Sequence, residues 1–155
     1  MVENYRPGEP ADYQTHVRTE YGYDALGNRT VVTDANGHAG HYTYDLPGRL
    51  VAESDPLGHT AHYGYDPLGN RTVITDADGG VTTYTYDALS RLTVIRYPTS
   101  IVEYGCDPLG HRVAMTDGTG VTVYIYDHLH RPLTITTPAS GTIGYRYDAL
   151  GNRVR

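Results

Sequence analysis

Polar and apolar residues along this chain follow the period of β-strands, and long patterns with the helical period of 3.6 are absent. In the segment "GHAGHYTYDLPGRLVAESDPLGH", residues 37–59, Tyr42 and Tyr44 lie two positions apart. A strand would therefore place both rings on one face. The return segment "RLVAES" begins at Arg49 and carries apolar residues on both faces. The pattern predicts an all-β fold.

Turn signals separate the predicted strands. Asp45 stands at the first turn position, where its carboxylate can accept hydrogen bonds from nearby backbone N–H groups, and Gly48 supplies a conformation that other residues resist. "DPLG" at 55–58 forms a second turn, and "DANG" at 34–37 and "DADG" at 76–79 have the same chemistry. The sequence predicts a repetitive antiparallel β-hairpin meander of about 14 short strands, a strip that spirals or coils as a solenoid does.

The same unit recurs seven times along the chain, at a nearly constant interval. Its aspartates are Asp24, Asp45, Asp66, Asp87, Asp107, Asp127 and Asp148. An arginine occupies the fifth position after the aspartate in odd copies and the fourth position after it in even copies, so the full pattern repeats after every second copy. We interpret this alternation as two turn lengths, which we expect to set the curl of the strip.

The regular spacing assigns a structural role to the motif residues, with the tyrosine pairs in register on alternate strands. Aromatic rings facing β-branched residues across strands contribute about 0.2–1 kcal/mol per pair. The residues assigned to this framework are Tyr21, Tyr23, Asp24, Gly27, Arg29, Tyr42, Tyr44, Asp45, Gly48, Arg49, Tyr63, Tyr65, Asp66, Gly69, Arg71, Tyr84, Tyr86, Asp87, Arg91, Tyr104, Asp107, Gly110, Arg112, Tyr124, Tyr126, Asp127, Arg131, Tyr145, Tyr147, Asp148, Gly151 and Arg153.

Composition changes this picture in three ways. The chain has 16 Tyr but neither Trp nor Phe, so its rings carry hydroxyls that need water or a partner, which disfavours a deep, dry core. A formal charge of −6 without a basic stripe argues against nucleic acid. The single cysteine, Cys106, excludes an internal disulfide framework and stands where a motif tyrosine is expected, as a small apolar replacement. No segment is apolar enough to span a membrane, and the N-terminus does not resemble a signal peptide.

The unit "YDALGNRTVVTDANGHAGHYTYD" resembles the YD repeat of the Rhs proteins, which also occurs in the C components of insecticidal Tc toxins and in teneurins. The resemblance covers roughly residues 19–155. It implies a spiralling hairpin strip that wraps into a hollow shell, which in Rhs and Tc proteins encloses a toxic C-terminal polypeptide. It also implies a secreted or cell-surface location. Seven copies are too few to close such a shell, and the last copy is truncated at "GNRVR".

Candidate sites of other kinds are less well supported. His38 and His41 recur one unit later as His59 and His62, but adjacent units lie two strands apart, too far to share zinc, so we interpret them as strand and turn histidines. The aspartates repeat uniformly, whereas a catalytic pair is singular. Ser54, Ser90, Ser100 and Ser140 lack a nucleophile-elbow context. "NRT" at Asn28 and Asn70 matches a glycosylation acceptor but is part of the repeat.

We therefore expect a non-enzymatic scaffold with no cofactor and no metal. Residues 1–18 would form a polar segment that caps one edge, and residues 19–155 the repeat array. Its expected partners are itself through edge strands, neighbouring repeats of a longer chain, and an enclosed toxin polypeptide. Two alternatives stay open: a carbohydrate-binding or adhesive module that takes glycans on its tyrosines, and a fragment of a self-cleaving Rhs protein. "YDLPGRLVAESDPLG", residues 44–58, superficially approaches the family's cleavage boundary.

Overall fold

A computed structural model describes residues 2–3 and 18–154, and these residues form strands and turns without any helix. The strands are β1 Val2–Glu3, β2 Arg18–Tyr23, β3 Arg29–Thr33, β4 Ala39–Tyr44, β5 Leu50–Ser54, β6 Thr60–Tyr65, β7 Arg71–Thr75, β8 Val81–Tyr86, β9 Leu92–Arg96, β10 Ile101–Cys106, β11 Arg112–Asp117, β12 Gly120–Tyr126, β13 Pro132–Thr137, β14 Gly141–Gly144, β15 Arg146–Tyr147 and β16 Arg153–Val154. The predicted all-β class is confirmed.

The chain divides into two compact units, one of Met1–Gly64 with Val73–Gly80, the other of Tyr65–Thr72 with Val81–Arg155. In the first unit, β2 to β6 pair in chain order, each antiparallel to the next. In the second unit, β8 to β14 do the same, and β15 pairs with β16 separately. The strand order is linear in each unit, so the predicted meander of consecutive hairpins is confirmed.

The predicted cap of residues 1–18 falls mostly on residues 4–17, which lie outside the described residues. The two described residues at its start form β1, which pairs antiparallel with β2: Val2 lies opposite Thr19 and Glu3 opposite Arg18. The cap itself stays a prediction.

All seven YD turns have the same backbone geometry, which corrects our interpretation of two turn lengths. In the first copy, the Asp24 N–H donates to the Asn28 carbonyl oxygen at 2.9 Å. In the second copy, the Asp45 N–H donates to the Arg49 carbonyl oxygen at 3.0 Å. Both bonds span four residues, and the other five copies repeat this span. The turn length is therefore constant along the chain.

What alternates is the side chain at two fixed positions, four and five residues after the aspartate. The residue at the fifth position lies opposite the second tyrosine: Arg29 faces Tyr23 in the first copy, and Leu50 faces Tyr44 in the second. The register shifts beside these pairs, leaving one extra residue on the return strand, as in a β-bulge. Odd copies thus place Asn or His at the fourth position and Arg at the fifth, whereas even copies place Arg and then Leu or Pro.

The third position after each YD aspartate requires a left-handed backbone. Gly27 has φ of 86° there, and most copies use glycine. The fourth and sixth copies have no glycine, yet Ser90 and His130 adopt φ of 59° and 63° at the same position. The turn is therefore imposed by its hydrogen bonds even where the residue type is unfavourable.

Replacing Gly27 by alanine should lower the free energy of unfolding by about 1–2 kcal/mol, because an L-residue resists positive φ. An added Cβ would meet no atom within 4 Å, so the effect comes from the backbone and not from a clash. Gly118→Ala is the matched control, since Gly118 also has open space around it but no positive φ. Urea denaturation measures both changes, and equal losses in the two variants would contradict the argument.

Burial is shallow throughout the described residues. Ile95 is the one buried apolar side chain among them, with 9% exposure, and Thr122 is the one buried polar residue. Most motif tyrosines are half-buried. The rings therefore stabilise the sheet with their hydroxyls close to water or to backbone acceptors, in agreement with the prediction from a chain that has no Phe or Trp.

Candidate functional site

The YD aspartate is the hub of each turn, and both its oxygens accept hydrogen bonds. In the sixth copy, Asp127 Oδ1 accepts from the backbone N–H groups of Leu129 at 2.9 Å and Arg131 at 3.0 Å. Its Oδ2 accepts from Arg131 Nε at 2.7 Å. In the first copy, Asp24 binds the Leu26 and Asn28 N–H groups and the Asn28 side chain in the same manner. The carboxylate is thus used to hold the turn.

These contacts stabilise the ionised carboxylates. Burial opposes ionisation of Asp127, but hydrogen bonds from the side chain and backbone of Arg131 and from Leu129 outweigh it and lower its pKa from 3.8 to about 2. At Asp24, the hydrogen bond from the Asn28 side chain is the main cause of a lowered pKa. Carboxylates held in this state are poor proton donors at neutral pH, which fits a structural role.

Arginines of the even copies form ion pairs inside their own turns. The nitrogen–oxygen distances are 2.7 Å for Arg49 with Asp45, 2.6 Å for Arg91 with Asp87, and 2.7 Å for Arg131 with Asp127. The side chains are partly buried, and the same carboxylates also accept backbone N–H groups. In the even copies, the arginine therefore holds the turn twice, through its backbone N–H and through its side chain, both bonded to the same aspartate.

Arginines of the odd copies instead lie over the tyrosine rings. The Arg112 guanidinium carbon is 3.9 Å from the centroid of the Tyr104 ring, and that of Arg153 is 5.5 Å from the Tyr145 ring. Comparable contacts join Arg29 to Tyr21 and Tyr42, and Arg71 to Tyr84. Such cation–π contacts contribute about 0.5–1 kcal/mol at exposed sites. Arginines of the odd copies thus contact rings and those of the even copies pair with their own aspartate, while Arg131 of the sixth copy does both, since its guanidinium carbon is also 4.3 Å from the centroid of the Tyr147 ring.

In the second, fourth, sixth and seventh copies, the hydroxyl of the second tyrosine is bonded to the backbone of the preceding copy. The hydroxyls donate to the carbonyl at the fifth position after the preceding aspartate: Tyr44 to Arg29 at 3.1 Å, Tyr86 to Arg71 at 2.9 Å, Tyr126 to Arg112 at 2.9 Å, and Tyr147 to Pro132 at 2.9 Å. Sequence reasoning missed this bond. The signal was present in the composition, because phenylalanine would pack equally well but cannot donate.

The histidines occupy turn and strand positions, as predicted. His38 Nδ1 lies 3.0 Å from Asp34 Oδ2 and His59 Nδ1 lies 2.8 Å from Asp55 Oδ2, both in second turns. His41 and His62 are exposed on strands. In the part of the chain that the structure describes, no group of three or more His, Cys, Asp or Glu side chains is arranged to hold a metal ion.

The other candidate sites are also part of the turn framework. Asp55, in the segment that approaches a cleavage boundary, accepts N–H groups from Leu57 and His59 as the YD aspartates do. The amides of Asn28 and Asn70 donate to Asp24 and Asp66. Of the four candidate serines, Ser54 lies in β5 and Ser90 in a YD turn. The described residues contain no helix that could span a membrane.

The fold and its repeated turn define a β-hairpin repeat protein in which the motif residues build the scaffold. The sequence profile of the family described as RHS Repeat matches this chain at residues 12–39, 23–60, 44–81, 72–102, 107–142 and 126–155. The chain belongs to the RHS repeat family. No curated protein matches its sequence.

Solved structures of Tc toxin components have a similar fold. The TcdB2-TccC3 structure matches with a TM-score of 0.74 at 18% identity, and the Tc holotoxin pore of Photorhabdus luminescens with 0.72 at 18% identity. TcdB2-TccC3 without its hypervariable C-terminal region matches with 0.73 at 18% identity. Each match covers 97% of this chain but 10% of the other, so this chain spans about a tenth of the length of those chains.

Proposed function

We propose that this chain is a structural segment of a toxin-enclosing shell of the Rhs and Tc type, with a non-enzymatic role in a secreted assembly. In this role the strip of hairpins forms part of the wall of the shell and shields a toxin polypeptide. It continues into neighbouring repeats by strand addition. The observation that carries the proposal is the uniform use of the motif: the backbone of all seven YD aspartates makes the same hydrogen bonds across the turn.

The edge strand β14 supports growth of the strip by strand addition. It ends the strand order of its sheet and is exposed along its whole length. The Tyr145 N–H donates to the Leu133 carbonyl oxygen of β13 at 2.8 Å. Because backbone groups along a strand point alternately to either side, Ile143, two positions earlier, also directs its backbone groups toward β13. Thr142 therefore directs its N–H outward. An edge of this kind is a template for another strand.

The glycan-binding alternative is less well supported by the tyrosines. Sugar rings stack on uncovered aromatic faces, but Tyr104 and Tyr145 face arginines, and the Tyr86 hydroxyl is bonded to a backbone carbonyl. Among the described residues, Tyr23 and Tyr97 have the most exposed rings, at 61% and 43% exposure. A scaffold uses all of these contacts, whereas a glycan site would need only a few rings.

Strand addition predicts that the purified chain associates as its concentration rises from micromolar to millimolar, as measured by light scattering coupled to size-exclusion chromatography. The variant Thr142→Pro removes the outward N–H and keeps the backbone ladder to β13, although it also removes the hydroxyl that lies 2.8 Å from Thr136 Oγ1. It should shift association to roughly tenfold higher concentration, about 1.4 kcal/mol for one lost edge contact.

Ala88→Pro is the matched control, because other copies carry proline at this turn position, as at Pro67 and Pro108. It should associate as the unmodified chain does. A chain that stays monomeric over the whole range, or an unchanged response in Thr142→Pro, would contradict growth at this edge.

A further inference from the structure

The fifth copy departs from the others at one position, where Cys106 replaces the second tyrosine. A cavity of about 400 Å³ opens at this point, and its walls include Arg91, Leu92, Cys106 and Tyr126. The thiol is free and only partly covered. The cavity therefore lies where the other copies place a phenol ring.

The seventh copy shows how that ring is held when it is present. Tyr147 lies beneath the guanidinium of Arg131, with 4.3 Å from the guanidinium carbon to the ring centroid. Its hydroxyl donates to the Pro132 carbonyl oxygen at 2.9 Å. Arg131 and Pro132 are the fourth and fifth residues after the aspartate of the sixth copy. A cation above the ring and a carbonyl at its hydroxyl thus define the binding geometry of a phenol.

The fourth copy offers the same two groups to the cavity. Arg91 and Leu92 are the fourth and fifth residues after Asp87, and both line the cavity. Arg91 is fixed in place, since its Nε lies 2.6 Å from Asp87 Oδ2 and its Nη1 donates to the Asp107 carbonyl oxygen at 2.8 Å. The recognition groups are therefore positioned in advance, which reduces the entropy lost on binding.

We propose that this cavity binds a small neutral phenol, with the ring against the Arg91 guanidinium and the hydroxyl donating to the Leu92 carbonyl oxygen. The Arg91 charge is already paired with Asp87, and the guanidinium carbon of Arg112, which also lines the cavity, lies 3.9 Å from the centroid of the Tyr104 ring. The acceptor at the far end is a carbonyl, which requires a donor such as a hydroxyl. Leu92 and the rings of Tyr124 and Tyr126 supply the apolar part of the lining, while Arg91 and Arg112 supply a polar part of similar size, as suits a ring that carries a hydroxyl.

The direct test is a titration of the ¹⁵N-labelled full chain with p-cresol, which is the tyrosine side chain as a free molecule. Signals of Arg91 and Cys106 should shift and saturate with a dissociation constant on the order of 1 mM, as expected for so small a ligand. Toluene, which lacks the hydroxyl, should bind roughly two- to tenfold more weakly, the usual effect of one hydrogen bond. Equal binding of toluene would overturn the assignment of the carbonyl as acceptor.

Two variants locate the site. Cys106→Tyr fills the cavity with the chain's own phenol and should abolish the saturable shifts, while Cys106→Ser keeps the cavity and should retain them. Shifts that persist in Cys106→Tyr, or a lack of saturable binding in the unmodified chain, would overturn the proposal. A titration with N-acetyltyrosinamide distinguishes the two possible sources of the phenol. If this compound binds, the ligand would be a tyrosine of another protein chain; if it does not bind while p-cresol does, the ligand would be a free phenol.

Discussion

Tyr86→Phe is expected to lower the free energy of unfolding by about 1 kcal/mol, the usual contribution of one hydrogen bond. The change removes the hydroxyl that donates to the Arg71 carbonyl oxygen at 2.9 Å while keeping the ring. Burial raises the pKa of Tyr86, in accordance with a hydroxyl held away from water. Tyr86→Ala also removes a half-buried ring, so it should cost roughly 2–3 kcal/mol, below the 3–5 kcal/mol of a fully buried aromatic residue.

Tyr23 provides the matched control within the same motif. It is also a second tyrosine of a YD copy, but its side chain is 61% exposed. Tyr23→Phe should leave stability within about 0.5 kcal/mol, as is usual for surface substitutions. Urea denaturation of the three variants and the unmodified chain gives the comparison. If Tyr86→Phe and Tyr23→Phe had the same effect, the hydroxyl bond between copies would not be a source of stability.

Acid is expected to unfold the chain in a steep transition below about pH 4. In the described part of the chain, ten aspartates have a pKa lowered below 3.8 by the hydrogen bonds of their turns, and that of Asp127 falls to about 2. A carboxylate with a lower pKa in the folded state stabilises the fold above its unfolded pKa. That contribution is lost as the pH falls from 3.8 through the folded pKa, here about 2 for Asp127. Because the turns repeat, the losses add.

Melting temperatures measured by circular dichroism from pH 7 to pH 2 test this expectation. Asp127→Asn should melt at a lower temperature at pH 7 and lose less on acidification, since one of the titrating groups is gone. His59 acts with the opposite sign: its hydrogen bond to the Asp55 carboxylate raises its pKa above 6.5, so its contribution is present below pH 6.5 and is lost as the pH rises through the folded pKa. A melting temperature unchanged between pH 5 and pH 2 would contradict the role assigned to the carboxylates.

The features that the sequence predicted correctly are local ones. The alternation around Tyr42 and Tyr44 predicted strands, and Asp followed by Gly three positions later predicted turns. The nearly constant interval between the motif aspartates predicted that one hairpin would recur. Each depends on residues within a few positions of one another, because strand periodicity and turn chemistry are properties of short segments.

The odd–even alternation shows where the sequence pattern misled. Arg29 and Arg49 lie at different distances from their aspartates, which suggested two turn lengths, but both turns span the same number of residues. The spacing could not distinguish a longer turn from an exchange of side chains on a constant backbone. Only the strand register decides this, because it places Arg29 opposite Tyr23 and Leu50 opposite Tyr44.

The sequence by itself thus determined the strands, the turns, the number of copies and the aspartate's part in each turn. The tertiary structure alone decided the bulge inside the YD hairpin and the features found between copies, which are the hydroxyl of Tyr86 on the Arg71 carbonyl and the cavity beside Cys106. The contacts between copies unite residues about 15 positions apart, one at the start of a strand and the other at the end of the next strand. Their geometry depends on register, which a one-residue shift would change completely, so no local pattern of residues can specify it.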